Sequence, residues 1–244
     1  MNKISTESFN PEFLELAKDI TRLGYDGVLY SFIPKPVFIN SKVQPVFQCS
    51  AGFAPCIDYY LEKNYGNNDF IIRLAFEGYD KPIDWWEQIN AGKVTDSERA
   101  VQEMVRAKFG IYHGLTVLVL HGTFAIAGIS VVSKIDDTEH FQKLKQDSLE
   151  VLQMCANRYH TRIIQSNEDM RFFIAPLLEN LSETKKNVLR HMMSGEPMKN
   201  IPEVYGITHR YAEKVLLTIR REFGDISTNE LMYILGMTNM KEFL

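Results

Sequence analysis

Two stretches of this chain carry side chains whose types and spacing could do chemistry. In DYYLEKNYGNNDFIIRLAFEGYDKPIDWWEQI, Tyr60 stands nine residues before Asp69, and Trp85 follows. A buried carboxylate is costly unless it is paired or hydrogen-bonded. An amide-bearing amphiphile can satisfy Asp69 with its N–H, while the Tyr60 hydroxyl and the Trp85 indole N–H donate to carbonyls. Such a site is apolar with a few convergent polar groups, the usual make-up of a small-molecule pocket. The same residues also suit plain packing, with Tyr60 and Trp85 as core aromatics and Asp69 as the cap of a helix starting near Phe70. Spacing alone favours the packing role.

The second stretch is MKNIPEVYGITHRYAEKVLLTIRREFG. A short helix ends at Tyr205, Gly206 permits a left-handed turn, and a longer helix opens after Thr208, which is the geometry of a helix-turn-helix. Ile201, Val204, Ile207, Ala212, Val215, Leu216 and Ile219 are the expected inward positions. His209, Arg210, Lys214, Arg220 and Arg221 mark the exposed face, where long polar side chains reach phosphates and base edges. A plain helical bundle with a solvated basic face is the competing account.

Catalysis is not expected. His113, His121 and His140 show no ligand or nucleophile spacing with Cys49, Cys56 or Cys155. No phosphate-binding glycine loop occurs, so neither a metal nor another cofactor is implied.

Composition narrows the remaining classes. The 244 residues are 45% apolar and 24% charged, which is ordinary for a globular chain and excludes a disordered one. A net charge of −4 leaves nucleic-acid contact to a local basic surface. Three cysteines, without a CxxC pair, argue against a disulfide framework. No signal peptide and no run near 18 apolar residues is present, so a soluble, cytoplasmic protein without a membrane partner is expected.

The elements that would position these residues follow from periodicity. Pro11 to Leu23 reads as a helix with Asn10 as its cap. Tyr25 to Ile33 and Val43 to Cys49 read as strands, and Pro55–Asn64, Asn68–Phe76 and Ser97–Phe109 as helices. Leu115–His121 and Phe124–Val132 form a central hairpin, and a long helix runs from Asp136 or Thr138 to about Ile164. After about Ser166 no strand signal remains. Helices are expected near Ser182–Met193, Met198–Tyr205, His209–Phe223 and Thr228–Gly236. The expected fold is α+β: an N-terminal α/β/α sandwich with an antiparallel sheet over residues 1–165, a linker at 166–178, and an all-α helix-turn-helix domain at 179–244.

Both functional stretches resemble LuxR-type quorum-sensing regulators. Tyr60, Asp69, Pro82 and Trp85 fall where the family's acyl-homoserine-lactone-binding domain has Tyr, Asp and Pro-x-x-Trp. Gly110, Gly114 and Ser130 match its later segments. Leu181, Ser182, Val188, Leu189, Gly195, Ile201, Gly206, Ile207, Thr208, Ile219 and Arg221 match its DNA-binding domain. The resemblance covers about residues 10–237. It implies a homodimeric regulator that binds promoter half-sites and senses an acyl-homoserine lactone or a related signal, with Tyr60, Asp69, Trp85, Ser130, Cys56 and Phe70 around the ligand. The chain departs from the pattern at Cys56, where the family has Trp, and at Phe70, where it has Pro. It departs again at Thr184, Lys185, Pro202, Tyr211 and Ala212. These departures open two alternatives: a partner that heterodimerises with a related regulator, or a sensor of a non-lactone metabolite. Which of Trp85 and Trp86 faces inward is open.

Overall fold

A computed structural model of the chain describes residues 11–35, 46–122, 125–179 and 181–244. The described residues form two compact units. The first runs to Ile33 and resumes from Val46 to Arg162, and the second takes the rest.

The first unit is an α+β sandwich. Helix α1 spans Pro11–Leu23 and buries Phe13, Leu16, Ala17 and Ile20 at helical spacing; its expected cap, Asn10, lies outside the described residues. Strands β1 (Gly27–Pro34) and β2 (Phe47–Cys49) pair antiparallel, with Leu29 opposite Cys49. The Val43 start expected for β2 also falls outside them. Helices α2 (Ala54–Glu62) and α3 (Phe70–Phe76) follow, separated by a 3-10 turn over Tyr65–Asn68. A two-residue strand β3 (Ile83–Asp84) leads into α4 (Trp85–Asn90), a pair of elements too short to show periodicity in the sequence. Helix α5 (Asp96–Phe109) starts with a capping box between Thr95 and Glu98. Strands β4 (His113–Leu120) and β5 (Ala125–Ser133) make the central antiparallel hairpin, in which Thr116 opposes Ser130. The Phe124 start expected for β5 is outside the described residues. Helix α6 covers Thr138–Gln165.

The sheet order is β2-β1-β5-β4-β3. Period-two alternation divides β1 between two layers. Tyr30 meets Tyr159 and His160 of α6 on one face, while Leu29, Ser31 and Ile33 turn to the other, where α2, α3 and α5 pack.

The second unit is all helical among the described residues. The expected linker is helix α7, Asn167–Glu179. Its cause is apolar residues at i, i+3, i+4 and i+7: Met170, Phe173, Ile174 and Leu177 are all buried. Helix α8 (Glu183–Met193) is capped by Ser182. A 3-10 turn at Met198–Asn200 leads into α9 (Ile201–Tyr205), Gly206 takes φ 67°, and α10 (His209–Glu222) follows. Helix α11 spans Thr228–Met237. Ile201, Ala212, Val215 and Ile219 form the expected core with Val188 and Leu189. Val204 does not join them. It is 59% exposed, because the single turn and a half of α9 turns Ile201 and Tyr205 inward and leaves Val204 on the far side.

Candidate functional site

A cavity of about 70 Å³ lies in the first unit between the sheet and helices α2, α3 and α5. Its walls are mostly apolar, with Leu29, Phe47, Ile57, Ile72, Val101 and Ile126 among them. Five of the six ligand-site residues suggested by the sequence line it: Cys56, Tyr60, Asp69, Trp85 and Ser130. Phe70 does not. It is fully buried in the core, and α3 turns Ile71, Ile72 and Ala75 to the cavity instead.

The polar groups are held in two sets. Asp69 caps α3 by accepting the Ile71 backbone N–H at 2.8 Å on Oδ1, and the Tyr60 hydroxyl donates to its Oδ2 at 2.7 Å. The packing and binding accounts of Asp69 are therefore not exclusive: one oxygen holds the helix start while the carboxylate borders the cavity. Burial raises the Asp69 carboxyl above the ordinary carboxylate range, against the pull of its hydrogen bonds. Burial and the neighbouring carboxylate push the Tyr60 hydroxyl well above its usual value, so it stays a donor.

In the second set, the Trp85 indole N–H donates to Thr116 Oγ1 at 3.0 Å, and Thr116 and Ser130 share a hydrogen bond of 2.8 Å across the β4–β5 hairpin. Trp85 is the inward indole, while Trp86 lies under the Arg106 guanidinium. Trp85 is placed by Asp84, which caps α4 and accepts from Gln142 and Lys145 of α6. It also needs Gly114, since a Cβ there would sit 2.2 Å from the Trp85 ring. Thr116 escaped the sequence reading. The signal was present, as it is the one polar residue in Leu115–Leu120. Ser31 and Gln102 line the cavity as well and were also missed.

Cys56 is buried beside Phe53, and burial pushes its thiol up to about 12, so it remains neutral. Phe53 lines the cavity beside it.

The model for the autoinducer binding domain family matches residues 13–163. The chain belongs to that family. The matched segment largely coincides with the unit that holds the cavity, and its α+β fold is the one the order and periodicity of the elements predicted. Comparison with curated proteins gives no match. Among solved structures, the chain is similar to Escherichia coli SdiA, at 14% identity over 94% of this chain and 90% of that one, with a TM-score of 0.45. It is similar to SdiA in complex with octanoyl-rac-glycerol at 16% identity, over 93% and 87%, with a TM-score of 0.43. It is also similar to CepR2 from Burkholderia cenocepacia, an N-acylhomoserine lactone dependent LuxR family transcription factor, at 14% identity over 58% and 83%, with a TM-score of 0.40.

Outside the autoinducer-binding domain, the basic helix α10 begins at a Thr208 cap that accepts the Tyr211 backbone N–H. His209, Arg210, Lys214 and Arg221 are exposed along it. His209 Nε2 lies 3.7 Å from a Glu213 carboxylate oxygen. Arg220 departs from the expected face: half-buried, it donates through Nε to the Ile226 carbonyl at 2.7 Å and ties down the turn after α10.

His113 is buried and stacked on Phe141 at 4.7 Å, while His121 and His140 are exposed. Among the described residues, no group of three or more His, Cys, Asp or Glu could hold a metal, and no helix is long and apolar enough to cross a membrane.

Proposed function

We propose that the chain is a ligand-responsive transcriptional regulator of the LuxR type. Its autoinducer-binding domain takes a small amphiphile, an acyl-homoserine lactone or a related signal, into the cavity bordered by Tyr60, Asp69, Trp85 and Ser130. Its C-terminal unit presents α10 to promoter DNA as one half of a homodimer. The observation that carries this reading is the convergence of those four side chains, distant in sequence, on one apolar cavity within the domain the family model matches. The Gly206 turn, the Thr208 cap and the exposed Arg210 and Lys214 support the DNA-binding part. Ligand binding would act by shifting the balance between arrangements of two recognition helices, and so the half-site spacing they fit.

The test joins both halves. Small molecules extracted from the purified protein are identified by mass spectrometry. Binding to DNA from its own promoter is then measured with and without them across a salt series. A ligand-dependent, salt-dependent affinity is expected. No binding to any DNA at any salt would sink the regulator reading.

One observation favours a second reading. Val204 and Tyr211 are 59% and 50% exposed on α9 and α10. An apolar and an aromatic side chain there suit contact with another protein, such as a related regulator in a heterodimer. A chain that binds no DNA alone, yet changes the DNA affinity of a co-purified LuxR-type partner, would establish that reading. For the ligand, the neutral thiol of Cys56 where the family carries an indole keeps a non-lactone metabolite as the alternative.

A further inference from the structure

The cavity contains polar groups that the family pattern does not name. Tyr60 is engaged with Asp69, and Trp85, Thr116 and Ser130 are engaged with one another. Gln102 on α5 is different. It is only 5% exposed, it lines the cavity, and its carboxamide makes no hydrogen bond to any described residue. Ser31 of β1 lines the same cavity, and its hydroxyl is likewise without a partner among the described residues. A carboxamide on a largely buried side chain that borders a cavity without a protein partner leaves its donors and acceptor to whatever fills that cavity.

The position of Gln102 is fixed by its neighbours. Glu98, one turn earlier on α5, accepts from Arg73 of α3 through two nitrogens, at 2.7 and 3.2 Å, and closes the capping box with Thr95. A carboxamide on so well anchored a helix turn is pre-organised for a partner. It offers two N–H donors and a carbonyl acceptor. Its complement is a group that also does both, an amide or a hydroxyl. No Lys, Arg or His lines the cavity, and Asp69 does, so an anionic ligand would meet a carboxylate without a counter-charge.

We propose that Gln102 is a specificity-determining residue of this cavity, pairing with an amide or hydroxyl of a compact, uncharged amphiphile and so selecting it over one that offers acceptors alone. The inference rests on the reading of the cavity as a small-molecule site and names the chemistry that site prefers.

Two probes with the same acyl chain separate these possibilities. Hexanamide donates and accepts, whereas methyl hexanoate only accepts. Ligand-observed NMR titrations of the full chain should show hexanamide favoured at least tenfold. Asp69 contributes to that preference in every variant, so the diagnostic quantity is the change in the ratio. In Gln102→Leu and in Gln102→Met, the closer apolar shape, the preference should fall several-fold while methyl hexanoate still binds. Both variants should also melt no lower than wild type, because an unpaired buried amide gives way to an apolar group. A residue with a merely structural role would lower the melting temperature and leave the ratio unchanged. An equal ratio in wild type and variants overturns the assignment of Gln102 and leaves the cavity reading standing. Failure of wild type to bind either probe overturns the cavity reading, and Gln102 with it.

Discussion

Asp69 is held twice, by the Ile71 N–H on Oδ1 and by the Tyr60 hydroxyl on Oδ2; an asparagine can accept the first through its carbonyl oxygen and donate its amide N–H to the Tyr60 hydroxyl oxygen in place of the second. What Asp69→Asn loses is the charge-assisted bond to a ligand N–H. We predict a loss of about 1.5–3 kcal/mol in ligand affinity by calorimetry, the range for a hydrogen bond to a charged group. Stability should behave differently. Burial raises the folded-state pKa of Asp69, so its contribution is fully present below the ordinary carboxyl value of about 3.9 and is lost as pH rises through the raised one. The asparagine variant should therefore be at least as stable as wild type at neutral pH, and a lower midpoint in urea would contradict this account. Cys56→Trp probes the ligand class. If the native signal is not a lactone, the indole should improve the response to acyl-homoserine lactones and impair the native response, each by about tenfold, or about 1.4 kcal/mol. A wild-type chain that already binds a lactone at nanomolar affinity, unimproved by the indole, would mark Cys56 as a neutral replacement.

The elements matter through where they begin and what they lean on. Helix α4 starts at the Asp84 cap, and Trp85 can lie flat on β4 because Gly114 has no side chain. Gly114→Ala should displace the Trp85 ring, at a cost of about 1–3 kcal/mol for overpacking. Near-ultraviolet circular dichroism should report the lost indole environment, and an unchanged spectrum and midpoint would count against this placement. On α10 the cationic residues divide by contact. Arg210→Ala and Lys214→Ala should each weaken DNA binding and reduce its salt slope by about one unit for each lost phosphate contact. Arg220→Ala should leave the salt slope alone and lower the stability of the C-terminal unit, because its guanidinium holds the Ile226 carbonyl. A salt slope that changes equally in all three variants would return Arg220 to the DNA-facing set.

At the scale of the whole molecule, pH acts on the autoinducer-binding domain through His160. Its Nδ1 lies 2.8 Å from the Tyr30 hydroxyl, its ring stacks near Phe32, and burial lowers its pKa to about 4. A depressed folded-state value contributes stability above the unfolded pKa of about 6.5, and this is lost as pH falls towards 4. The loss is on the order of 3 kcal/mol, and the raised Asp69 carboxyl opposes it. Unfolding of the full chain at pH 7, 6 and 5 should show the sensing-domain transition falling steadily, and His160→Phe should flatten that dependence. The chain divides into two compact units, so two unfolding transitions are expected rather than a single midpoint. A ligand at about 100 times its Kd should raise the first transition alone, by about 2.7 kcal/mol.

Local patterns carried most of the fold. Helix α1 is written in the spacing of Phe13, Leu16, Ala17 and Ile20, the β4–β5 hairpin in its apolar runs, and the turn before α10 in Gly206 and Thr208, because each depends on neighbours within one or two turns. The Asp69 cap was legible for the same reason, whereas its bond from the Tyr60 hydroxyl was not, since the two residue types each suit a separate contact to a ligand. What the tertiary structure alone decided is who faces whom across the sheet. Phe70 and Ile71 differ by one position and by 100° of helix rotation, which sends one to the core and the other to the cavity. Trp85 reaches Thr116 only through the β3–β4 pairing, a contact 31 residues long in sequence. Helix α7 replaced an expected linker because its polar opening, SNEDMR, outweighed in the reading the four buried residues whose partners lie elsewhere in the chain. Gln102 looked like any polar residue on a charged helix. Only the packing of α5 over the cavity turned it from the surface to the cavity wall.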